Sequence, residues 1–247
     1  MEDQLREKVG NLRERIKVSH ADRALYQELS DLLFQAGKIS AAINILEKAM
    51  TPVIGDASLL NGMTRDETHQ HDASDRGGHE AKWLFDRGLE FADAYLYEDA
   101  VECLSQAIDS GLDTFETQYC LAGVYKSLER ISESEIHCRR SLTLNPRFAP
   151  GYVLLGSLLK NPGDLEESVS ACKKAVLFDP ECTAAYYDLA CYYSLLSKRE
   201  QALSAIEMAL CKGYTDFDWL LRDPDLDALR RNPEFDLLLK SYRQKNT

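Results

Sequence analysis

The chain has 247 residues and carries 29 lysines and arginines against 41 aspartates and glutamates, a net charge of −12. A balance this acidic argues against nucleic-acid binding, because gripping phosphates needs a basic surface. The length suits one elongated repeat domain or two small globular ones, and no apolar run approaches the span of a bilayer. The seven cysteines form no Cys-x-x-Cys pair. An odd, unpatterned set suits a reducing compartment, so a cytoplasmic protein is expected. The amino end, MEDQLREKVGNLRERIKVSH, is too charged for a secretory leader.

Residues 1–54 read as one helix followed by a helical hairpin. Leu5, Val9, Leu12 and Ile16 are spaced four, three and four apart, which puts one apolar stripe on a helix over Glu2–Val18. The stripe packs on the next hairpin, or it forms a short contact with a second copy. Two heptads are too few to favour the second reading. From Arg23 to about Val53, Ser30, Ala42 and Ala49 are small residues twelve and seven apart, Leu33 and Leu46 are bulky, and Gly37 supplies the turn.

Residues 55–80 read as an insertion. The stretch GDASLLNGMTRDETHQHDASDRGGHE is polar and, after Leu60, nearly free of large apolar side chains, a composition that predicts a flexible loop. His69, His71 and His79, with Asp72 and Asp75, are residue types that bind zinc or nickel. A His-x-His pair on a loop lacks a scaffold, so a polar linker is the simpler reading. From Gly55 to Cys120 there are 15 acidic and 4 basic side chains. That region either attracts a basic partner or keeps the surface solvated, and the second is the plainer expectation.

Residues 81–214 repeat at a fixed step of 34. Small residues fall at Gly88, Ala122, Gly156 and Ala190, then at Ala100, Ser134, Ser168 and Ala202, then at Ala107, Ser141, Ala175 and Ala209. Bulky residues keep the step at Phe91, Tyr125, Leu159 and Tyr193, and at Leu104, Cys138, Cys172 and Ile206. Pro146 and Pro180 close two of the units. Within each unit the spacings are helical, in two helices joined by a short turn. Small residues let the helix axes approach, and bulky ones fill the neighbouring grooves. A single hairpin cannot bury its apolar face alone, so several must stack. The expected helices are Lys82 to Ala94 and Asp99 to Ser110, Glu116 to Leu128 and Ser132 to Leu144, Pro150 to Lys160 and Leu165 to Phe178, and Ala184 to Ser197 and Glu200 to Lys212. The turn NPGD lies inside the third hairpin.

Residues 215–247 read as a cap. Asp223-Pro224 and Asn232-Pro233 are helix-start signals, with a side-chain acceptor followed by a proline tolerated as the first helical residue. Phe217, Leu220, Leu221, Leu226, Leu229, Phe235, Leu238 and Leu239 would cover the open end of the last repeat. The array is expected to end there, with no further domain beyond Thr247.

These positions resemble the tetratricopeptide repeat (TPR) family, whose 34-residue helix–turn–helix unit keeps small residues at its eighth, twentieth and twenty-seventh positions. Counted from Ala81, Phe115, Ala149 and Thr183, all four units keep them. Leu112 and Tyr214 stand where the other units have proline, and Arg87 stands where Leu121, Leu155 and Leu189 occur. The resemblance implies an all-α fold, a right-handed solenoid of helical hairpins with carboxy-terminal capping helices. It also implies a concave face, formed by the first helix of each hairpin, that binds a peptide or partner helix.

Carried over by repeat position, that face comprises Phe85 and Leu89, then Tyr119, Gly123 and Lys126, then Val153, Ser157, Lys160 and Asn161, then Tyr187, Cys191 and Ser194. Aromatic anchors with the Lys126 and Lys160 ammonium groups suit a short peptide or helix with apolar side chains and an acidic group. The family's carboxylate clamp for chaperone tails needs Lys and Asn at the fifth and ninth positions of one unit. Here those positions read Phe85/Leu89, Tyr119/Gly123, Val153/Ser157 and Tyr187/Cys191, so that clamp is absent. There is no phosphate loop, HExxH or GxSxG sequence, and His20 and His137 stand alone, so no enzyme, cofactor or metal is expected. The expected function is a protein-binding adaptor or scaffold. The alternatives are a homo-oligomer built through the amino-terminal stripe or the repeat ends and, more weakly, metal sensing by the insertion.

Overall fold

A computed structural model describes residues 2–18, 23–38, 41–42, 45, 73–160 and 163–245. Ala49, Leu46, Leu60, His69, His71, Asp72 and Asn161 lie outside the described residues. Among the described residues there is no strand, and no helix is long and apolar enough to cross a membrane. The chain divides into two compact units, Met1–Leu128 and Glu129–Thr247, so the boundary falls between the two helices of the second 34-residue period.

The first unit contains helices α1 (Glu2–Val18), α2 (Arg23–Gln35), α3 (Ala73–Asp93), α4 (Tyr97–Asp109) and α5 (Phe115–Ser127). The stripe on α1 works inside the unit. Val9, Leu12 and Ile16 are buried in one core with Leu29, Leu33, Phe91, Leu104 and Leu121, and Leu5 packs against it. The amino-terminal hairpin therefore shares a core with the first hairpin of the main array, and its stripe is not left over for a second copy. Ser30 and Ala42, the small pair expected where that hairpin crosses, meet directly: the Ser30 hydroxyl donates to the Ala42 carbonyl at 3.0 Å. Arg13 on α1 pairs with the buried carboxylate of Asp99 on α4, and Lys38 pairs with Asp93.

Helix α3 starts at Ala73, nine residues ahead of the expected Lys82 and inside the stretch expected to be a loop. Extending a formed helix costs far less than starting one, and the polar residues Gly78, His79 and Glu80 simply face solvent on its early turns.

The second unit contains α6 (Ile131–Leu144), α7 (Ala149–Lys160), α8 (Leu165–Phe178), α9 (Thr183–Leu195) and α10 (Arg199–Cys211). Short elements follow: α11 (Phe217–Leu220), a 3-10 turn (Pro224–Leu226), α12 (Asp227–Arg230) and α13 (Pro233–Lys245). Consecutive helices from α6 to α10 pack pairwise. The end is capped as expected. Leu220, Leu226, Leu229, Phe235 and Leu239 are buried in one cluster with Ile206 and Leu210 of α10. Asp223 accepts from the Asp225 amide and Asn232 from the Glu234 amide, so both Asx-Pro signals start the turns they predict.

All twelve small repeat positions are buried. Their reason is visible at two glycines. A Cβ on Gly88 would lie 2.7 Å from Leu104 Cγ, and one on Gly156 would lie 2.9 Å from Cys172 Sγ and 3.3 Å from the Ser168 carbonyl oxygen. Close approach of the paired helices thus depends on the missing side chain. A second regularity has no counterpart in the residue pattern. Tyr95, Glu129, Gly163 and Ser197 all take positive φ (63, 59, 88 and 57°) and stand 34 residues apart, each ending the first helix of its hairpin. The NPGD turn announces only the glycine version. The other three accept a left-handed backbone on an L side chain, at about 1 kcal/mol each.

Candidate functional site

The face predicted from the first helices is divided between the two units. In the first unit, Phe85 and Leu89 lie on α3, with the Lys82 ammonium 5.0 Å from the Phe85 ring centre. On α5, Tyr119 is half-buried and Lys126 is exposed. A Cβ on Gly123 would meet nothing within 4 Å, so the surface there is open. Arg87, the departure from leucine, sets its guanidinium 4.9 Å from the Trp83 ring centre and 5.5 Å from that of Phe91, a cation–π arrangement that leucine could not make.

In the second unit, Val153 and Ser157 are half-buried on α7, and the Ser157 hydroxyl donates back to the Leu154 carbonyl at 2.8 Å. Lys160, Tyr187 and Cys191 do something the repeat pattern does not foretell. They converge on the turn that follows α11. The Tyr187 hydroxyl donates to the Asp223 carboxylate, the Cys191 thiol donates to the same oxygen at 3.6 Å, and the Lys160 ammonium pairs with Asp225. The other Asp223 oxygen accepts the Asp225 amide at 2.9 Å. Arg230 donates to the Asp223 backbone carbonyl at 2.6 Å. Asp223 is 4% exposed. A buried carboxylate is tolerable only when donors surround it, and here they do.

The aromatic side chains build the wall of this cradle. The Tyr187 and Tyr214 rings stack at 4.9 Å, 3° from parallel. Burial, and then the hydrogen bond to Asp223, push the Tyr187 phenol far up. Burial, and then the Asp223 charge, push the Cys191 thiol up. Tyr214 is pushed up to about 12, mainly by burial. At neutral pH phenol and thiol therefore stay protonated and act as donors. Ser194, one helical turn beyond Cys191 on the same face of α9, is 3% exposed, and its hydroxyl has no hydrogen-bond partner. The thiol of Cys191 and the carboxylates of Asp223 and Asp225 lie within 4.8 Å of one another, a donor set that could hold a cation. Any cation would have to displace the Lys160 ammonium and the protons of Tyr187 and Cys191. The set is thus already engaged by donors of the protein itself.

The convergence of Asp223 and Asp225 on α7 and α9 spans 32 to 65 residues of sequence. Its only trace in the sequence is the pair of carboxylates flanking Pro224, and the capping role expected of Asp223 gives no hint of it.

These helical hairpins, with their small contact residues and capped end, define an all-α helical-repeat module. Residues 149–182 match the tetratricopeptide repeat family, and the other hairpins share its helix–turn–helix fold. A chloroplastic protein of Arabidopsis thaliana is 40% identical over 83 residues, covering 32% of this chain and 25% of the relative. The cell division cycle protein 27 homolog of Caenorhabditis elegans is 30% identical over 130 residues, covering 51% of this chain and 16% of the relative. The matches span 16 to 28% of the length of the curated relatives. Among solved structures, PilF of Pseudomonas aeruginosa superposes with a TM-score of 0.58 at 18% identity, covering 68% of this chain and 76% of that one. At that identity the likeness concerns the fold.

Proposed function

We propose that the chain is a binding module that takes an extended or turn-forming segment of a partner protein on the face that the first helices form within each unit. The observation that carries this reading is Asp223–Leu226 itself: a peptide turn seated on α9 and held by Tyr187, Cys191 and Lys160. A surface that holds one acidic turn in this way has the donors to hold another. The half-buried Tyr119 and the open surface at Gly123 on α5, and the half-buried Val153 and Ser157 on α7, occupy the same repeat positions. Adaptor or scaffold is the role such a module plays, and a solved tetratricopeptide-repeat structure, YrrB, carries a described peptide-binding site, with a TM-score of 0.53 at 20% identity, covering 85% of this chain and 96% of that one.

The test is partner capture by matched variants. Partners retained by the wild-type chain are expected to be lost by Tyr119→Ala with Val153→Asp, and kept by Leu177→Asp on an exposed position of α8. Capture that survives the first pair and is abolished by Leu177→Asp would reject the first-helix face.

A further inference from the structure

The side chains of α7 and α9 that hold the turn are donors: the Lys160 ammonium, the Tyr187 hydroxyl and the Cys191 thiol. Such a set selects carboxylates and rejects basic or neutral segments, because a neutral occupant leaves buried donors unpaired. What fills it is the chain's own Asp-Pro-Asp-Leu turn, with Leu226 driven into the core beside the two acids.

The seated turn has the marks of an exchangeable occupant. It is a three-residue 3-10 element between helices of four residues each. The Lys160–Asp225 pair sits at the rim, with side chains 34% and 21% exposed. Segments built of short elements with solvent-reached polar contacts open locally before the rest of a fold.

We propose that Asp223–Leu226 is an internal ligand, and that its cradle accepts in exchange an acidic turn of a partner protein presenting two carboxylates around a proline and a following leucine. The inference rests on the first-helix binding face proposed above and adds its ligand class and its regulation. The resident turn is held at an intramolecular effective concentration of about millimolar order. It therefore lowers the apparent affinity for any competitor by the fraction of time the cradle is open. Weakening the resident turn, rather than the cradle, must strengthen external binding. A merely structural cap predicts the opposite, since damaging it creates no site.

The experiment uses the full chain and a fluorescein-labelled peptide of residues 217–230, FDWLLRDPDLDALR, read by fluorescence anisotropy. A chain carrying Asp223→Asn and Asp225→Asn keeps the capping acceptor and Leu226 while weakening the grip of the resident turn. It is expected to bind the peptide at least tenfold more tightly than the wild-type chain. The gain should vanish with a peptide whose corresponding aspartates are asparagines, and on adding Lys160→Glu to the chain. A folded double variant that binds no better than wild type overturns the proposal, as does a gain indifferent to peptide charge. Association of the double variant into dimers that exclude the peptide, seen by light scattering, would make a second copy the occupant and overturn the partner reading. Hydrogen exchange on the unaltered chain serves if the variant does not fold. Saturating peptide should speed exchange of the amides of residues 223 and 225–228, and unchanged exchange overturns the proposal. Peptide binding with these properties, together with partner capture indifferent to Tyr119 and Val153, would keep the cradle and discard the wider face.

Discussion

Gly156 and Gly123 are both helical glycines on first helices, and replacing each by alanine should move stability in opposite directions. In an exposed helix the replacement is favourable by about 0.5–1 kcal/mol, because alanine loses less backbone entropy. At Gly123 a Cβ meets nothing within 4 Å, so Gly123→Ala should realise that gain. At Gly156 the same methyl lies 2.9 Å from Cys172 Sγ and 3.3 Å from the Ser168 carbonyl oxygen. The sulfur must move and the backbone of α8 must yield by a few tenths of an ångström. Overpacking of this kind costs about 1–3 kcal/mol. Set against the helix gain, Gly156→Ala should destabilise by about 1 kcal/mol, or about 2–4 °C in melting temperature for a chain of this size. Cys172→Ala removes the sulfur, so the double variant should be more stable than the two single changes predict, with a coupling of about 1 kcal/mol. Urea and thermal unfolding followed by circular dichroism measure all four chains. If Gly156→Ala stabilises as Gly123→Ala does, or if the cycle shows no coupling, close approach at the eighth repeat position is not what holds α7 to α8.

Three other outcomes follow from the same geometry. Arg13→Met removes one ion-pair partner of the 2%-exposed Asp99 carboxylate and should cost up to about 3 kcal/mol in chemical denaturation, whereas a companion Asp99→Leu change should recover much of it. Phe235→Ala opens a void in the fully buried cap cluster and should cost about 3–5 kcal/mol, reported by urea unfolding. The Tyr187 phenol and Cys191 thiol hold their protons more tightly folded than unfolded, so the stability they contribute is complete below the unfolded values of 10.0 and 9.0 and drains away as pH rises beyond them. Melting temperature should thus be level from pH 7 to about 9 and fall above it, with Tyr187→Phe flattening the upper part of the fall.

How far the sequence can be read depends on the range of each interaction. The twelve small positions are legible because their requirement is steric, local and repeated in register. The Asp223 and Asn232 caps are legible because an acceptor and the amide it serves lie two residues apart. The left-handed turns at Tyr95, Glu129 and Ser197 carry no glycine to announce them. The start of α3 at Ala73 lies among polar residues that show no helical period, where propagation from an established helix decides the matter. The repeat positions of Lys160, Tyr187 and Cys191 describe a groove open to a ligand. Its filling by Asp223 and Asp225 depends on how the chain returns after α10, and nothing periodic encodes that return.

The most direct test of the binding account places a photo-crosslinking phenylalanine analogue at four positions of the full chain. Two are first-helix positions, Tyr119 and Val153, and two are the exposed second-helix positions Ile136 and Leu177. Crosslinks to a common partner protein from Tyr119 and Val153, with none from Ile136 and Leu177, are the predicted result. Crosslinks arising from Ile136 and Leu177 alone would contradict the account.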